Sequence, residues 1–249
     1  VYKILLKKGI VSDKDRYMKN DTLAHRVDLE LLFEILLESK DKNGNPAVMT
    51  AVTNVANPDF KRIKDSEYKE YFYEPFTRTL LRNGWGNETF NTWKKGMELR
   101  IFSPELHGRE HISVQLWLKK LQEGNKNLIT GFSHEVAAVN VEDLHPALAG
   151  FRPEFYFNSL DQIEFLNNSI SDAVNLFRDI FGYTPNAFVP SNAIFHPVFE
   201  RKVAQAGVKY LNVSHFNQVP DKKGRLILRF YPTGRKTSFG LRYYTRKCA

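Results

Sequence analysis

Cysteine and long apolar runs are what this 249-residue chain most clearly lacks. Its one cysteine, Cys248, rules out an internal disulfide and a metal cluster built on cysteine. No hydrophobic run approaches the ~20 residues that a membrane-spanning helix needs, so we expect no membrane span. The opening segment VYKILLKKGI has neither the apolar core nor the cleavage site of a signal peptide. Cysteine usage leaves the cellular compartment undecided.

Nucleotide-binding and nucleic-acid-binding signatures are also missing. No G-x-G-x-x-G or G-x-x-x-x-G-K-[ST] motif follows a predicted strand, and no RRM, zinc-finger or helix-turn-helix pattern accompanies the basic residues. The net charge of +8 permits an anionic partner, such as an acidic polysaccharide, a nucleic acid or a phosphorylated lipid head. Because basic residues cluster only near 221–225 and 235–236, we interpret them as a solvated surface and expect no nucleic-acid partner. A nucleic-acid binder is an alternative that depends on charge alone.

The chain does contain a regular alternation of strand-like and helix-like segments. Short runs suited to buried strands occur in AVMTAVTNV, IFSPELH, NAFVP and VKYLNVS, and amphipathic helical patterns separate them. The clearest helix opens with a capping box of Ser159 and Gln162 and stops at Gly182. Such alternation predicts an α/β fold with a parallel sheet, either doubly wound or closed as a barrel. Because no linker or repeat interrupts it, we predict a single domain over residues 1–249.

The segment HGREH holds two histidines four residues apart. It overlaps the end of the predicted strand IFSPELH, which places His107 at the strand's carboxyl end and His111 in the first turn of the next helix. In α/β folds the chemistry gathers beyond the carboxyl ends of the strands, and two imidazoles at this spacing can share one metal ion. The alternative is that one histidine caps the helix and the other pairs with Glu105 or Glu110.

A metal site would need a third protein ligand, and the candidates are few. Asn54, Asn57 and Asp59 follow the predicted strand VTNV, so we expect them on the same rim as the histidines. His134, in GFSHEV, is a further candidate. Each has a simpler interpretation, because Asn-Pro-Asp is an ordinary turn sequence and a histidine between Ser and Glu is commonly a surface residue.

Several segments together resemble a group of bacterial polysaccharide deacetylase-like proteins. They are DTLAHRVDLELLFEIL, KDKNGNPAVMTAVTNVANPDF, EYFYEPF, HGREH, FGYTPNAFVPSN and YYTRKCA, of which VANPDF and HGREH are the most specific. The resemblance implies a distorted (β/α) barrel of about seven strands. It also implies hydrolysis of acetyl groups from amino sugars, using a divalent metal held by one Asp and two His. We expect Zn²⁺, with Co²⁺ or Ni²⁺ as alternatives.

The family's second motif is His, then Ser or Thr, two variable residues and His. Here it reads HGREH, so the resemblance assigns metal binding to His107 and His111, while Gly108 departs from the motif. The third motif, a strand with proline near its end, resembles FVPSN and implies that Pro190 and Asn192 line the groove.

The two residues between the histidines, Arg109 and Glu110, have two interpretations. They orient the metal-binding histidines from behind, or they supply charge at a helix N-terminus and solvate the surface.

The family's first motif is not found in this chain. That motif is an Asp-Asp pair on the first strand that provides the catalytic base and the third metal ligand, and no Asp-Asp occurs here. Relatives carry Asp-Asp-Trp-Gly before the part that resembles VYKILLKKGI, and a Ser-His-Arg segment after YYTRKCA. We therefore expect the barrel to be incomplete at both ends, with the base Asp and the acid His outside this chain.

Two functions are consistent with these patterns. The first is a metal-dependent hydrolase that removes acetyl groups from an N-acetylated polysaccharide or glycan precursor, with the cytoplasm of a bacterium as the expected location. The second is a non-catalytic, carbohydrate-binding relative that has kept the scaffold and lost the base. Both predict a carbohydrate partner.

Overall fold

The computed structural model describes residues 1–20 and 22–245, so the last four residues of the YYTRKCA segment and its cysteine lie outside the described part. The helices are α1 (Tyr2–Lys7), α2 (Arg16–Asn20), α3 (Arg26–Glu38), α4 (Phe60–Asp65), α5 (Phe76–Arg82), α6 (Gly86–Glu98), α7 (Val114–Gln122), α8 (Lys126–Ser133), α9 (Gln162–Phe181) and α10 (Glu200–Gln205). The strands are β1 (Met49–Asn54), β2 (Ala56–Pro58), β3 (Tyr73–Pro75), β4 (Phe102–Gly108), β5 (Ala187–Phe188), β6 (Tyr210–Asn212), β7 (Phe216–Pro220), β8 (Leu226–Phe230) and β9 (Arg242–Tyr244).

Five of these strands form the central sheet, in the order β1-β4-β5-β6-β9. Every neighbouring pair in it is parallel, so all five carboxyl ends lie at one edge. The expected α/β fold with a parallel sheet is confirmed, and so is the predicted strand that ends near His107. The described strands form an open sheet with β1 and β9 at its edges, not a closed ring of seven. Two antiparallel strand pairs, β2–β3 and the β7–β8 hairpin, form separate two-stranded sheets.

One face of the sheet packs into the main core because its register aligns apolar side chains in a single row. Leu106 of β4 pairs with Phe188, Phe188 with Leu211, and Leu211 with Tyr243. All four side chains are buried, together with the apolar stripe of α9. Since neighbouring residues on a strand point to opposite faces, the residues on either side of each buried position have their side chains on the other face.

The other face is more exposed. Val52 and Tyr244 are exposed on the two edge strands, and Tyr210 is exposed on β6. Glu105 and His107 occupy the same face of β4 and are half-buried. The histidine is therefore on the less covered side of the sheet.

Helix α9 begins and ends close to the predicted residues. Gln162 accepts hydrogen bonds from the backbone N–H groups of Asn158, at 2.8 Å, and Ser159, at 3.3 Å. The hydroxyl of Ser159 bonds to Asp161 instead of the helix backbone, so only half of the predicted capping box forms. Gly182 ends the helix with φ of +81°, as predicted, because glycine enters the left-handed region without steric cost.

A second cluster of apolar side chains surrounds Trp117 of α7, which is fully buried. The ring of Phe132, from α8, stacks on it with centroids 5.5 Å apart, and Phe60 of α4 meets it edge-on. This cluster anchors the helix that follows HGREH. Among the described residues, no helix has the length and apolar character that a bilayer crossing requires.

Gly96 of α6 allows this helix to approach both α3 and β4 closely. A Cβ atom at Gly96 would overlap the ring of Phe33 and lie 2.9 Å from the Cβ of Phe102. We therefore expect Gly96→Ala to lower the free energy of unfolding by about 1–3 kcal/mol through overpacking, although alanine raises helix propensity by about 1 kcal/mol. Urea unfolding checks this. Asn91→Ala, at an exposed position of the same helix, is the control and should be neutral or stabilising.

Candidate functional site

The two histidines of HGREH lie together at the carboxyl edge of the sheet. Their ring centroids are 5.0 Å apart, with the ring planes inclined at 56°. His107 is the second-last residue of β4, as predicted. His111 is not in a helix, because α7 begins only at Val114 with Ser113 as its N-cap. The prediction of a first-turn position was wrong, and a loop brings the rings together.

Backbone hydrogen bonds hold this loop on both sides. Gly108 has φ of +140°, a conformation that side chains rarely tolerate, and it turns the chain out of the strand. The carbonyl of Arg109 then accepts from Ala56 N–H at 2.8 Å, and the N–H of Ser113 donates to Phe151 at 2.6 Å. The positions of the histidines are consequently determined by backbone contacts to the start of β2 and to the 3₁₀ turn that ends at Phe151.

His107 makes the hydrogen bond that is common for metal-binding histidines. Its Nδ1 lies 2.6 Å from the carbonyl oxygen of Val189, just past β5. Because a carbonyl only accepts, Nδ1 carries the proton and Nε2 keeps its lone pair. The alternative pairing with Glu105 does not form, since that carboxylate accepts from the N–H of Ala187 at 2.8 Å.

Both histidines are held neutral by their surroundings. Burial lowers the pKa of His107 below its ordinary value, although the bond to Val189 opposes the shift. Burial, followed by repulsion from His107, lowers the pKa of His111 to about 4. At neutral pH both imidazoles therefore have a free lone pair, which a metal ligand requires.

Arg109 and Glu110 are buried, with 3% and 1% of their surfaces exposed, so the surface interpretation was wrong. The guanidinium binds Glu110 through two nitrogens, at 2.7 and 2.9 Å, and Asp172 of α9 at 2.8 Å. It also lies 4.5 Å from the centre of the Tyr73 ring. Burial opposes its charge, but Glu110 outweighs this and the pKa of Arg109 is raised. These contacts hold the loop from behind the histidines without a hydrogen bond to either ring.

Glu154 joins three segments at this edge and was not identified from the sequence. It is 1% exposed. Its Oε1 accepts from the hydroxyl of Ser169 at 2.7 Å and from the N–H of Arg109 at 3.4 Å, and its own N–H donates to Ser191 at 2.8 Å. Burial, followed by repulsion from Glu110, raises the pKa of Glu154 well above its ordinary value. The one sequence signal was an acidic residue among the aromatics of FRPEFYF.

The departure from the motif at Gly108 has a structural reason. A Cβ at this position would overlap Oε2 of Glu154 and lie 3.4 Å from Nδ2 of Asn54. Glu154 thus occupies the space that a serine or threonine side chain would take. Neither Oε2 of Glu154 nor Nδ2 of Asn54 has a hydrogen-bond partner in the described part of the chain.

The remaining candidates divide into two groups. Asn54 pairs with Gly108 across β1 and β4, so its expected place on the rim is confirmed. Asn57 instead donates to the hydroxyl of Thr79 at 3.1 Å, and Asp59 caps α4 by accepting from Arg62 N–H at 3.1 Å. The simpler interpretation as local structure fits these last two.

His134 and the FVPSN residues also have clear places. His134 is the C-cap of α8. Pro190 is buried, and Asn192 is exposed with φ of +50° in a short 3₁₀ turn. Pro190 lies between Val189 and Ser191, the contacts of His107 and Glu154, and the turn begins at Ser191, so the segment borders the site.

The histidine pair fits part of a metal site. Two neutral imidazoles at a strand end are suitable ligands for Zn²⁺, Co²⁺ or Ni²⁺. Over residues 1–20 and 22–245, no group of three or more His, Cys, Asp or Glu side chains is arranged to hold a metal ion. The two imidazoles would be two of the three ligands that the resemblance to deacetylases implies, and the described residues show no third.

Comparison with known proteins returns no match. No protein family, no curated protein and no solved structure is significantly similar to this chain.

The lowered pKa of His111 makes the stability of the metal-free protein depend on pH. The unfolded chain binds this proton near pH 6.5, whereas the folded chain resists it until about pH 4. The stability that is linked to neutral His111 is fully present above pH 6.5. As the pH falls from 6.5 toward 4, the unfolded chain takes up a proton that the folded chain does not bind, and the free energy of unfolding falls by roughly 2–3 kcal/mol. Denaturant titrations should show a shallower pH dependence in His111→Gln. The control His134→Gln should keep the wild-type slope, and an unchanged slope in His111→Gln would contradict this account.

Gly108 should tolerate no side chain while Glu154 is present. We expect Gly108→Ala to lower the free energy of unfolding by about 3 kcal/mol, since backbone strain adds to the overlap with the carboxylate. Gly124→Ala is the matched control, because Gly124 also has positive φ but open space around its missing Cβ. It should cost only about 1 kcal/mol. Equal losses in the two variants would show that the carboxylate is not in the way.

Proposed function

We propose that this chain is part of a metal-dependent hydrolase that removes acetyl groups from an N-acetylated polysaccharide or glycan precursor. One observation carries the proposal: His107 and His111 are neutral, adjacent and at the carboxyl end of a parallel strand. The bond from His107 Nδ1 to a backbone carbonyl supports it, because this contact leaves Nε2 as the ligand atom.

We also propose that the open sheet belongs to a distorted (β/α) barrel of about seven strands. Parallel sheets are normally covered on both faces. Here one face is buried, and the face that carries His107 has exposed side chains at Val52, Tyr210 and Tyr244. Further strands joining β1 to β9 would enclose that face and place the histidines at the mouth of the barrel.

In this proposal the chain's own residues bind the metal and hold the loop rigid. His107 and His111 donate the two nitrogen ligands, while Val189 determines the orientation of His107. Arg109 and Glu154 hold the backbone between them. A metal bound there would polarise an acetyl carbonyl and lower the pKa of a water molecule. A carboxylate base and an acid are expected from segments outside this chain.

A second candidate is a carbohydrate-binding protein without catalytic activity. It is favoured by the lack of a third metal ligand near the histidines among the described residues. The release of acetate distinguishes the two functions. For the full-length protein, acetate released from N-acetylglucosamine oligomers in the presence of Zn²⁺ or Co²⁺ supports the hydrolase, whereas oligomer binding without acetate release supports the second candidate.

Calorimetric titration of the full-length protein with Zn²⁺ or Co²⁺ tests the metal site directly. We expect one ion to bind per chain, and His111→Ala to weaken binding by about 100-fold because it removes one of the two histidine ligands. Without the third ligand from outside this chain, residues 1–249 alone should bind the metal weakly or not at all. Since the pKa of His111 is about 4, protonation of this ligand should weaken binding only as the pH approaches 4. His134→Ala is the matched control and should bind like wild type. Equal binding by wild type and His111→Ala would reject the metal site and leave HGREH a structural loop.

A further inference from the structure

The β7–β8 hairpin has an apolar face that nothing in the described chain covers. Phe216 pairs with Phe230 across the two strands, and Gln218 pairs with Leu228, so these four side chains share one face. Phe216, Leu228 and Phe230 are 63%, 67% and 55% exposed. We call these four residues the hairpin face. Large apolar side chains so exposed and so close together indicate a contact surface.

The side chains of β7 on the opposite face hold the hairpin on the domain, while those of β8 on that face, Ile227 and Arg229, are exposed. Val219 is fully buried and Asn217 is 2% exposed. The turn between the strands is anchored by the hydroxyl of Tyr156, which donates to the carbonyl of Gly224 at 3.1 Å. The hairpin face is consequently presented outward by a fixed support.

The hairpin and its flanks are strongly basic. Residues 216–245 contain seven Lys or Arg and one acidic residue, a net charge of +6 in a chain whose total is +8. The acidic residue, Asp221, is paired with Arg225 at 2.7 Å. Lys222 and Lys223 are exposed in the turn at the end of the hairpin, whereas Arg229 pairs with Asn217 and lies on the opposite face. Two exposed lysines therefore lie at the tip of the hairpin that carries the apolar face, within a segment of net charge +6.

We propose that the hairpin face docks on the surface of an anionic phospholipid bilayer. Apolar side chains inserted at the headgroup boundary, together with Lys and Arg that attract anionic lipids, are the two components of peripheral membrane binding. The hairpin follows the carboxyl end of β6, so it leaves the sheet at the same edge as the histidines. Docking does not depend on the proposed hydrolase activity.

Three other occupants fit this surface less well. A glycan or a nucleic acid needs several hydrogen-bonding groups and a flat stacking surface, but the hairpin face has one polar side chain, and its two phenyl rings are inclined at 45°. A second copy of the chain would bring two segments of net charge +6 together, which is repulsive.

Sedimentation with vesicles tests the proposal. Vesicles of phosphatidylcholine with about 30% phosphatidylglycerol should bind the chain, pure phosphatidylcholine should bind it weakly, and added salt should reduce binding. Leu228→Ser with Phe230→Ser should lower the partition coefficient about tenfold. Leu31→Ser with Ile35→Ser, which alters two exposed apolar residues of α3, is the matched control and should bind like wild type.

The charges are tested separately. Lys222→Gln with Lys223→Gln should lower binding to the anionic vesicles about tenfold. The equally exposed adjacent pair Lys7→Gln with Lys8→Gln should have a smaller effect. Circular dichroism confirms that each variant is folded.

Several results would overturn the proposal. The proposal is rejected if the wild-type chain does not bind anionic vesicles, or if the hairpin variants bind them as wild type does. The same holds if the hairpin variants lose binding to an acidic polysaccharide or a single-stranded oligonucleotide while vesicle binding is unchanged. A wild-type dimer that these variants abolish would assign the face to a second copy.

Discussion

The parallel register of the central sheet is the constraint on which the rest of the site depends. It aligns Leu106, Phe188, Leu211 and Tyr243 in one buried row. Because side chains alternate along a strand, burial of Leu106 on one face places the His107 side chain on the opposite face. His107 also lies at the carboxyl end of β4. The apolar core thus determines where the imidazole points. Parallel pairing with β1 and β5 also brings Asn54 and Val189 beside it.

Burial at this edge has a second consequence. It keeps both imidazoles neutral, which favours metal binding, but it also removes Arg109, Glu110 and Glu154 from water. A buried charge or polar group is tolerated only with partners. Asp172 and Ser169 of α9 supply two of these partners, and Arg109 and Glu110 pair with each other, while Oε2 of Glu154 has no partner among the described residues. The same buried environment therefore lowers the histidine pKa values and requires the polar contacts that bind the loop to α9.

The sequence predicted those parts of the fold that have a local signal. The strand ending at His107, the parallel sheet and the stop of α9 at Gly182 follow from periodicity and glycine, and the structure confirms them. The position of His111 was wrong because spacing of four residues is compatible with a helix and with a loop. Glu154 was missed because its partner at Arg109 is 45 residues away, and no local pattern records such a contact.

A long-range contact, with Glu154, also involves Gly108 within HGREH. In the sequence, Gly108 is a departure from the motif, with glycine in place of a hydroxyl residue. In the structure, the Glu154 carboxylate fills that space and accepts the N–H of Arg109, two residues after His107. The glycine and the glutamate are consequently one structural unit, since a side chain at position 108 excludes the carboxylate. The histidines lie 5.0 Å apart with glycine at this position, so the missing hydroxyl residue is by itself no sign that their arrangement is lost.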